Sequence, residues 1–211
     1  MRAADAVTYF RVAVILFVAY LIIEKVNPIA IALLIAFAML LDAFDGYAAV
    51  WEGSGGRISL IDYIRAAASR GAYANEIKKI KLRLARTAKH GPRIDVAGDR
   101  VVEYVLWIVY TYVAVIPLYV LFAVVIRHSF VDALMANRGT SSKMKTKLAK
   151  VVYSSSIGRG GINVVKFLAF SYLAFAYIWG WNIAVGYLLV AVLVAYIMVR
   201  GIAEAYESMQ E

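Results

Sequence analysis

Four aspartates carry the chemistry legible in this chain. Asp42 and Asp45 stand at i and i+3 in an apolar stretch, with Gly46 directly after them. Asp95 and Asp99 stand at i and i+4 farther along, with Gly91 one turn before. On helices, either spacing puts both carboxylates of a pair on one face. Ionisable groups at membrane depth are costly, so they face a bundle interior or a wet cavity and require a partner. Hard divalent cations are the natural one, since carboxylate oxygens suit Mg²⁺ or Mn²⁺ and two such ions neutralise four negative charges. The glycines allow a phosphate-bearing ligand to approach the backbone closely. For either pair alone there is a plainer reading, a helix end whose aspartates are solvated or paired with Lys and Arg.

The composition dictates the scaffold that must hold these groups. Of 211 residues, 63% are hydrophobic, against about 45–50% in an ordinary soluble domain, so the bilayer is the solvent. At roughly 20 residues per span there is room for about six transmembrane helices and two sizeable loops. The expectation is therefore an all-α integral membrane bundle in one domain, residues 1–211. Apolar runs cover 9–23, 29–50, 101–113, 116–126, 164–179 and 183–199. Pro117 separates the third and fourth, which predicts a tight turn near Ala114 to Pro117. Helix three then begins near Arg93 and carries Asp95 and Asp99, and helix four runs through Arg127 and Asp132 towards Asn137. With no cysteine in the chain, disulfides, thiolate metal sites and cysteine nucleophiles are excluded. Met1 to Leu16 has a basic start but no small-residue cleavage site, so the first apolar segment is expected to stay in the protein.

Charge sets the expected orientation. The net charge is +9, and of 23 Lys and Arg residues only Lys25 falls in a loop assigned to the far side. The positive-inside rule then places both termini and the aspartates on the cytosolic side of a multi-pass cell-membrane protein. The loop charge is read as topology plus attraction to anionic headgroups, with no nucleic acid as partner, because no recognition module accompanies it. His90 and His128 are isolated and expected at the interface rather than as ligands.

Taken together, D-A-F-D-G-Y-A-A from Asp42 to Ala49 and G-P-R-I-D-V-A-G-D from Gly91 to Asp99 resemble the two halves of the CDP-alcohol phosphotransferase signature, D-x-x-D-G-x-x-A-R and G-x-x-x-D-x-x-x-D. At background residue usage both halves arise in order by accident in about one chain in a thousand of this length. Thr8 and Arg11 are similar to the T-x-x-R of the family's amphipathic N-terminal helix, so such a helix is expected here. K-M-K-T from Lys143 to Thr146 is similar to the basic segment after the family's fourth helix. The resemblance implies transfer of a lipid phosphoryl group from a CDP-linked alcohol to the hydroxyl of a small polar acceptor, with release of CMP. It implies that Asp42, Asp45, Asp95 and Asp99 hold two divalent cations, Mg²⁺ or Mn²⁺, and that Asp99 is the general base. It further implies that Asp42, Gly46, Ala49, Gly91 and Asp95 line the CDP/CMP pocket, and that the protein is a homodimer among membrane lipids.

Two departures stand beside the resemblance. Val50 occupies the place of the signature arginine, and a basic stretch, 51–90, replaces a short spacer. Arg86, near the end of that stretch, is the candidate to supply the missing arginine to the nucleotide. Ile58, Ile61 and Ile64, then Ile77, Ile80 and Leu84, recur at helical spacing and predict a cytosolic helical hairpin with an apolar face on the membrane, or simply a solvated basic insertion. Lys143, Lys145 and Arg159 are candidates to bind a phosphate on the acceptor, and similar basic residues in the inositol-phosphate and glycerol-phosphate enzymes of the family that the chain resembles imply inositol phosphate or glycerol phosphate as acceptor over serine. Ser154 to Gly161 lacks the spacing and terminal lysine of a P-loop. A divalent-cation transporter is the alternative of another class, disfavoured by acids clustered at one edge and by the absence of an internal repeat.

Overall fold

Long runs of Leu, Ile, Val, Ala and Phe without an internal proline propagate as helix, and the two longest at the N-terminus do so: Ala3–Ile23 (α1) and Pro28–Gly53 (α2). Pro28 opens α2 at the position where a missing N–H is no loss. The computed structural model describes residues 3–68, 72–87, 91–135 and 156–209, and among them no strand occurs. The further helices are Leu60–Ala68 (α3), Ala72–Thr87 (α4), Gly91–Tyr112 (α5), Leu118–Met135 (α6), Ser156–Trp179 (α7) and Ile183–Ser208 (α8). Among the described residues, four stretches are long and apolar enough to cross a bilayer: Ala3–Ile23, Pro28–Gly53, Gly161–Trp179 and Ile183–Ser208. They leave large apolar side chains uncovered, Leu33 at 66% and Leu188 at 65% exposure among them, as helices that face lipid do.

The turns fall where sequence placed them. Between α5 and α6, Ala114 adopts φ 59°, and the N–H groups of Val115 and Ile116 both donate to the Tyr110 carbonyl at 2.9 and 3.1 Å. Lys25 between α1 and α2, and Gly180 between α7 and α8, also take positive φ. The expected amphipathic N-terminal helix is not a separate element. No glycine or proline interrupts Ala3–Ile23, so Thr8 and Arg11 lie in α1 itself, on a buried stripe with Ile15.

The chain divides into two compact units. One comprises Met1–Phe17 with Ala36–Glu103, and holds the start of α1, most of α2, the hairpin α3–α4 and the start of α5. After α2, Gly55 and Gly56 reverse the chain at φ 67° and 81°, a conformation that glycine adopts without strain. Ser59 then caps α3, accepting from the Asp62 N–H at 3.2 Å, an N-cap bond that stabilises a helix start, while its hydroxyl donates to the Asp62 carboxylate at 2.7 Å. The hairpin is built on Val50: this residue is fully buried with Ile58, Ile77 and Ile80, and Tyr63 and Ala66 pack against them. Of the expected apolar stripe on α3, Ile58 joins this core, whereas Ile61 and Ile64 are exposed.

The other unit comprises Val18–Ile35 with Tyr104–Glu211. Here Phe170 of α7 meets Trp107 and Tyr110 of α5, edge-on at 5.1 Å and stacked at 6.1 Å, and the Tyr110 hydroxyl donates to the Phe170 carbonyl at 2.5 Å. Arg127 of α6 is ion-paired with Glu204 of α8 at 2.9 Å, with both side chains buried. Gly201 admits it, since a Cβ there would stand 2.5 Å from the Arg127 Nε. His128, expected at the interface, is instead buried beside Arg127 and the Tyr104 ring. An imidazole that hydrogen-bonds a guanidinium already taken inside is held there with it.

Candidate active site

Helix α2 carries Asp42 and Asp45 on one face, and α5 carries Asp95 and Asp99 on one face, in the same unit of the chain. The two helices bring the pairs together. One carboxylate oxygen from each of Asp42, Asp45 and Asp95 lies within 4.8 Å of the others, a spacing at which a single hard cation reaches all three. Asp42 and Asp45 are half-buried and Asp95 is exposed, so the group is open on one side.

Asp45 and Asp95 stand within hydrogen-bond reach of each other. Ionised carboxylates are acceptors only, and Asp45 Oδ2 is buried with no hydrogen-bond donor. A buried acceptor left in this state is costly unless a cation or proton meets it. The donor set therefore fits a divalent metal: oxygen ligands, three carboxylates, and one oxygen of Asp45 buried without a hydrogen-bond partner.

Asp99 is held differently. Arg11 of α1, only 2% exposed, donates through one terminal nitrogen to Asp42 and through the other to Asp99. Its planar fork suits two carboxylates at once, and its charge is permanent. The α1 backbone reaches this position because residue 98 is glycine: a Cβ there would collide with the Thr8 side chain. Of the expected ligands, Asp42, Asp45 and Asp95 form the group, while Asp99 sits beside it on Arg11.

Sequence marked Arg11 and Thr8 only by their likeness to T-x-x-R and gave them no place in the site. The signal that finds them is a permanent cation inside an apolar segment, which needs an anion as much as the aspartates need a cation. Gly98 was likewise unassigned, and its reason is the approach of α1.

The other expected residues fall as follows. Gly46 follows Asp45 on α2, and a Cβ there would stand 3.0 Å from the Tyr63 hydroxyl of α3. The Tyr63 ring also meets Tyr47 edge-on at 5.7 Å. Ala49 is half-buried one turn after Asp45. Gly91 opens α5, Arg86 lies in the last turn of α4, and Arg159 lies in α7 in the other unit. Lys143 and Lys145, with the rest of K-M-K-T, lie outside the described residues, as do His90 and Asn137.

Among the described residues, a wholly helical fold with four helices long and apolar enough to cross a bilayer and a three-carboxylate group on two helices points to a membrane protein with a candidate metal centre. Residues 1–54 match the family model described as CDP-alcohol phosphatidyltransferase, which bears out the resemblance over the first half of the signature, Asp42 to Ala49, and leaves Gly91 to Asp99 outside the matched stretch. That family serves phospholipid synthesis by transfer from a CDP-alcohol. The matched stretch covers α1 and α2, including Arg11, Asp42, Asp45, Gly46 and Ala49, and ends where the inserted hairpin begins. No curated protein and no solved structure matches the chain.

Proposed function

We propose that the protein is a metal-dependent CDP-alcohol phosphatidyltransferase that moves the lipid phosphoryl group of CDP-diacylglycerol or CDP-archaeol to the hydroxyl of a phosphorylated polyol, inositol phosphate or glycerol phosphate, and releases CMP. The observation that carries this reading is the convergence of Asp42, Asp45 and Asp95 within 4.8 Å, in the spacing of the signature and beside Asp99.

In this reading Asp42, Asp45 and Asp95 hold Mg²⁺ or Mn²⁺, with Asp99 at the edge of a two-ion site. Ions held there would neutralise the diphosphate and stabilise charge gathering on the leaving CMP. Four aspartates and Arg11 leave a formal charge of −3, which one divalent cation does not cancel and two overcome by one, leaving a surplus for the diphosphate. Asp99 takes the proton of the acceptor hydroxyl as that oxygen bonds to the lipid phosphorus and the bond to CMP breaks. Arg11 orients Asp99 for this, engaging one carboxylate oxygen and leaving the other to accept from the hydroxyl. Gly46, Ala49, Gly91 and Arg86 serve the CDP moiety, and Lys143, Lys145 and Arg159 the acceptor phosphate.

The whole chain acts as one membrane domain of six spans, α5 and α6 supplying the two beyond the four most apolar helices, and as a homodimer. The distribution of Lys and Arg supports cytosolic termini and a cytosolic site.

The experiment is CMP release by purified protein in lipid, with a CDP-lipid donor, Mg²⁺ or Mn²⁺, and inositol phosphate, glycerol phosphate or serine in separate reactions. Release is expected with one phosphorylated polyol, and is expected to vanish with chelator and in Asp99→Asn. Release with serine alone would replace the acceptor assignment. Absence of CMP under every condition, with metal ions crossing liposome membranes instead, would replace the enzyme by a transporter.

A further inference from the structure

The inserted hairpin encloses something the signature does not account for. Between the C-terminal end of α2 and α4 lies a cavity of about 260 Å³, lined by Gly53, Ser54, Arg57, Glu76, Lys79 and Arg83. Three cationic side chains thus face one carboxylate. Arg57 donates through Nε to the Ser54 carbonyl at 3.1 Å, and Arg83 donates to the Gly53 carbonyl at 2.6 Å. These backbone contacts fix both guanidinium groups at the wall, so the positive charge is placed before any ligand arrives. A cluster of exposed Lys and Arg ordinarily separates into solvent. Here three are gathered around one concavity, with the buried Ser54 and Ile80 as its floor.

We propose that this cavity binds a phosphate monoester. Two formal positive charges in excess match such a group, which carries about −1.5 to −2 at neutral pH, and guanidinium forks recognise its oxygens bidentately. The volume is below that of a typical drug-sized site, roughly 300–1,000 Å³, and suits a headgroup rather than a whole nucleotide. Gly53 lies eight residues beyond Asp45, about 12 Å along the helix axis, so the cavity is distinct from the carboxylate group. The ligand reaches it either as the headgroup of an anionic lipid or as a soluble phosphate. The exposed Ile61 and Ile64 of α3 and Leu82 of α4 give the hairpin apolar contacts by which it rests on a membrane.

The test uses full-length protein with chelator present throughout, so that no metal at the aspartates recruits phosphate. In one arm the protein is offered phosphatidic acid in phosphatidylcholine micelles and the bound lipid is read by native mass spectrometry. In the other, labelled glycerol phosphate is dialysed against protein in phosphatidylcholine nanodiscs. Saturable binding is expected, weakened about tenfold or more in Lys79→Gln/Arg83→Gln and unchanged in Asp42→Asn/Asp45→Asn. Because Arg83 also holds the end of α2, Lys79→Gln alone is the second variant, and weaker binding by folded protein supports the site equally. Binding in the lipid arm alone assigns a headgroup; binding in the soluble arm assigns a free phosphate ester. No saturable binding in either arm, binding indifferent to Lys79 and Arg83, or binding lost with the aspartates instead would overturn the assignment.

Discussion

Arg11 donates to Asp99 across 88 residues of chain, and the same guanidinium donates to Asp42. One cation from α1 therefore spans the carboxylates of α2 and α5. Arg11→Gln removes the charge and leaves the aspartates facing one another. The metal-free protein is expected to lose on the order of 2 kcal/mol, less than for a fully buried pair because Asp99 is half exposed. Thermal melts in detergent check this, with and without Mn²⁺. The loss is expected to shrink when metal is present, since the ions then supply the positive charge. An equal loss in both conditions would mean that Arg11 supports α1 packing and not the carboxylates.

Asp45→Asn has the opposite sign in stability. The buried Oδ2 of Asp45 has no donor, and its neighbour Asp95 is another carboxylate. Removing one of two like charges within 4.8 Å of each other relieves roughly 1–3 kcal/mol between water-like and surface dielectrics. The metal-free variant is expected to melt higher than the parent, to gain little from Mg²⁺ or Mn²⁺, and to release CMP at least about a hundredfold more slowly. A variant that melts lower in chelator would show that the carboxylate is held by something other than an absent cation.

Much of this was legible in the residues, for identifiable reasons. The apolar runs and Pro117 fix helices and a turn because period and proline act locally. The aspartate pairs were legible because i, i+3 and i, i+4 spacing decides a face. Partners across the chain were not: nothing local tells Arg11 that it meets Asp99, or Gly98 that it meets Thr8. The stripe on α3 divides for a related reason. Ile58, Ile61 and Ile64 share a helical period, but Ile58 precedes the helix start at Leu60, so it turns into the Val50 core while the other two face out.

Gly98 stands where a Cβ would collide with the Thr8 side chain, the nearest atom being its Cγ2. Gly98→Ala is therefore expected to cost about 1–3 kcal/mol through overpacking and to shift Asp99, the next residue, so that CMP release falls further than stability alone accounts for. Thr8→Ser deletes that methyl. The double variant Gly98→Ala/Thr8→Ser is expected to recover most of both losses, a coupling that a double-mutant cycle measures directly. Additive losses would place the contact elsewhere.

Val50 occupies the signature's arginine position, and the natural experiment is to restore the arginine. The structure argues against any gain. Val50 is fully buried with Ile58, Ile77 and Ile80, and that core is the base on which the hairpin stands. Val50→Arg puts a longer, charged side chain among Ile58, Ile77 and Ile80, which combines overpacking with an unmatched charge. The hairpin is expected to detach while α1 and α2 persist. Limited proteolysis is expected to cut within 51–90 in the variant and to spare the parent, whereas Val50→Ile, close in volume and shape, stays protected. An arginine variant that resists the protease and releases CMP faster would mean that the position still belongs to the nucleotide site, with the insertion accommodated around it.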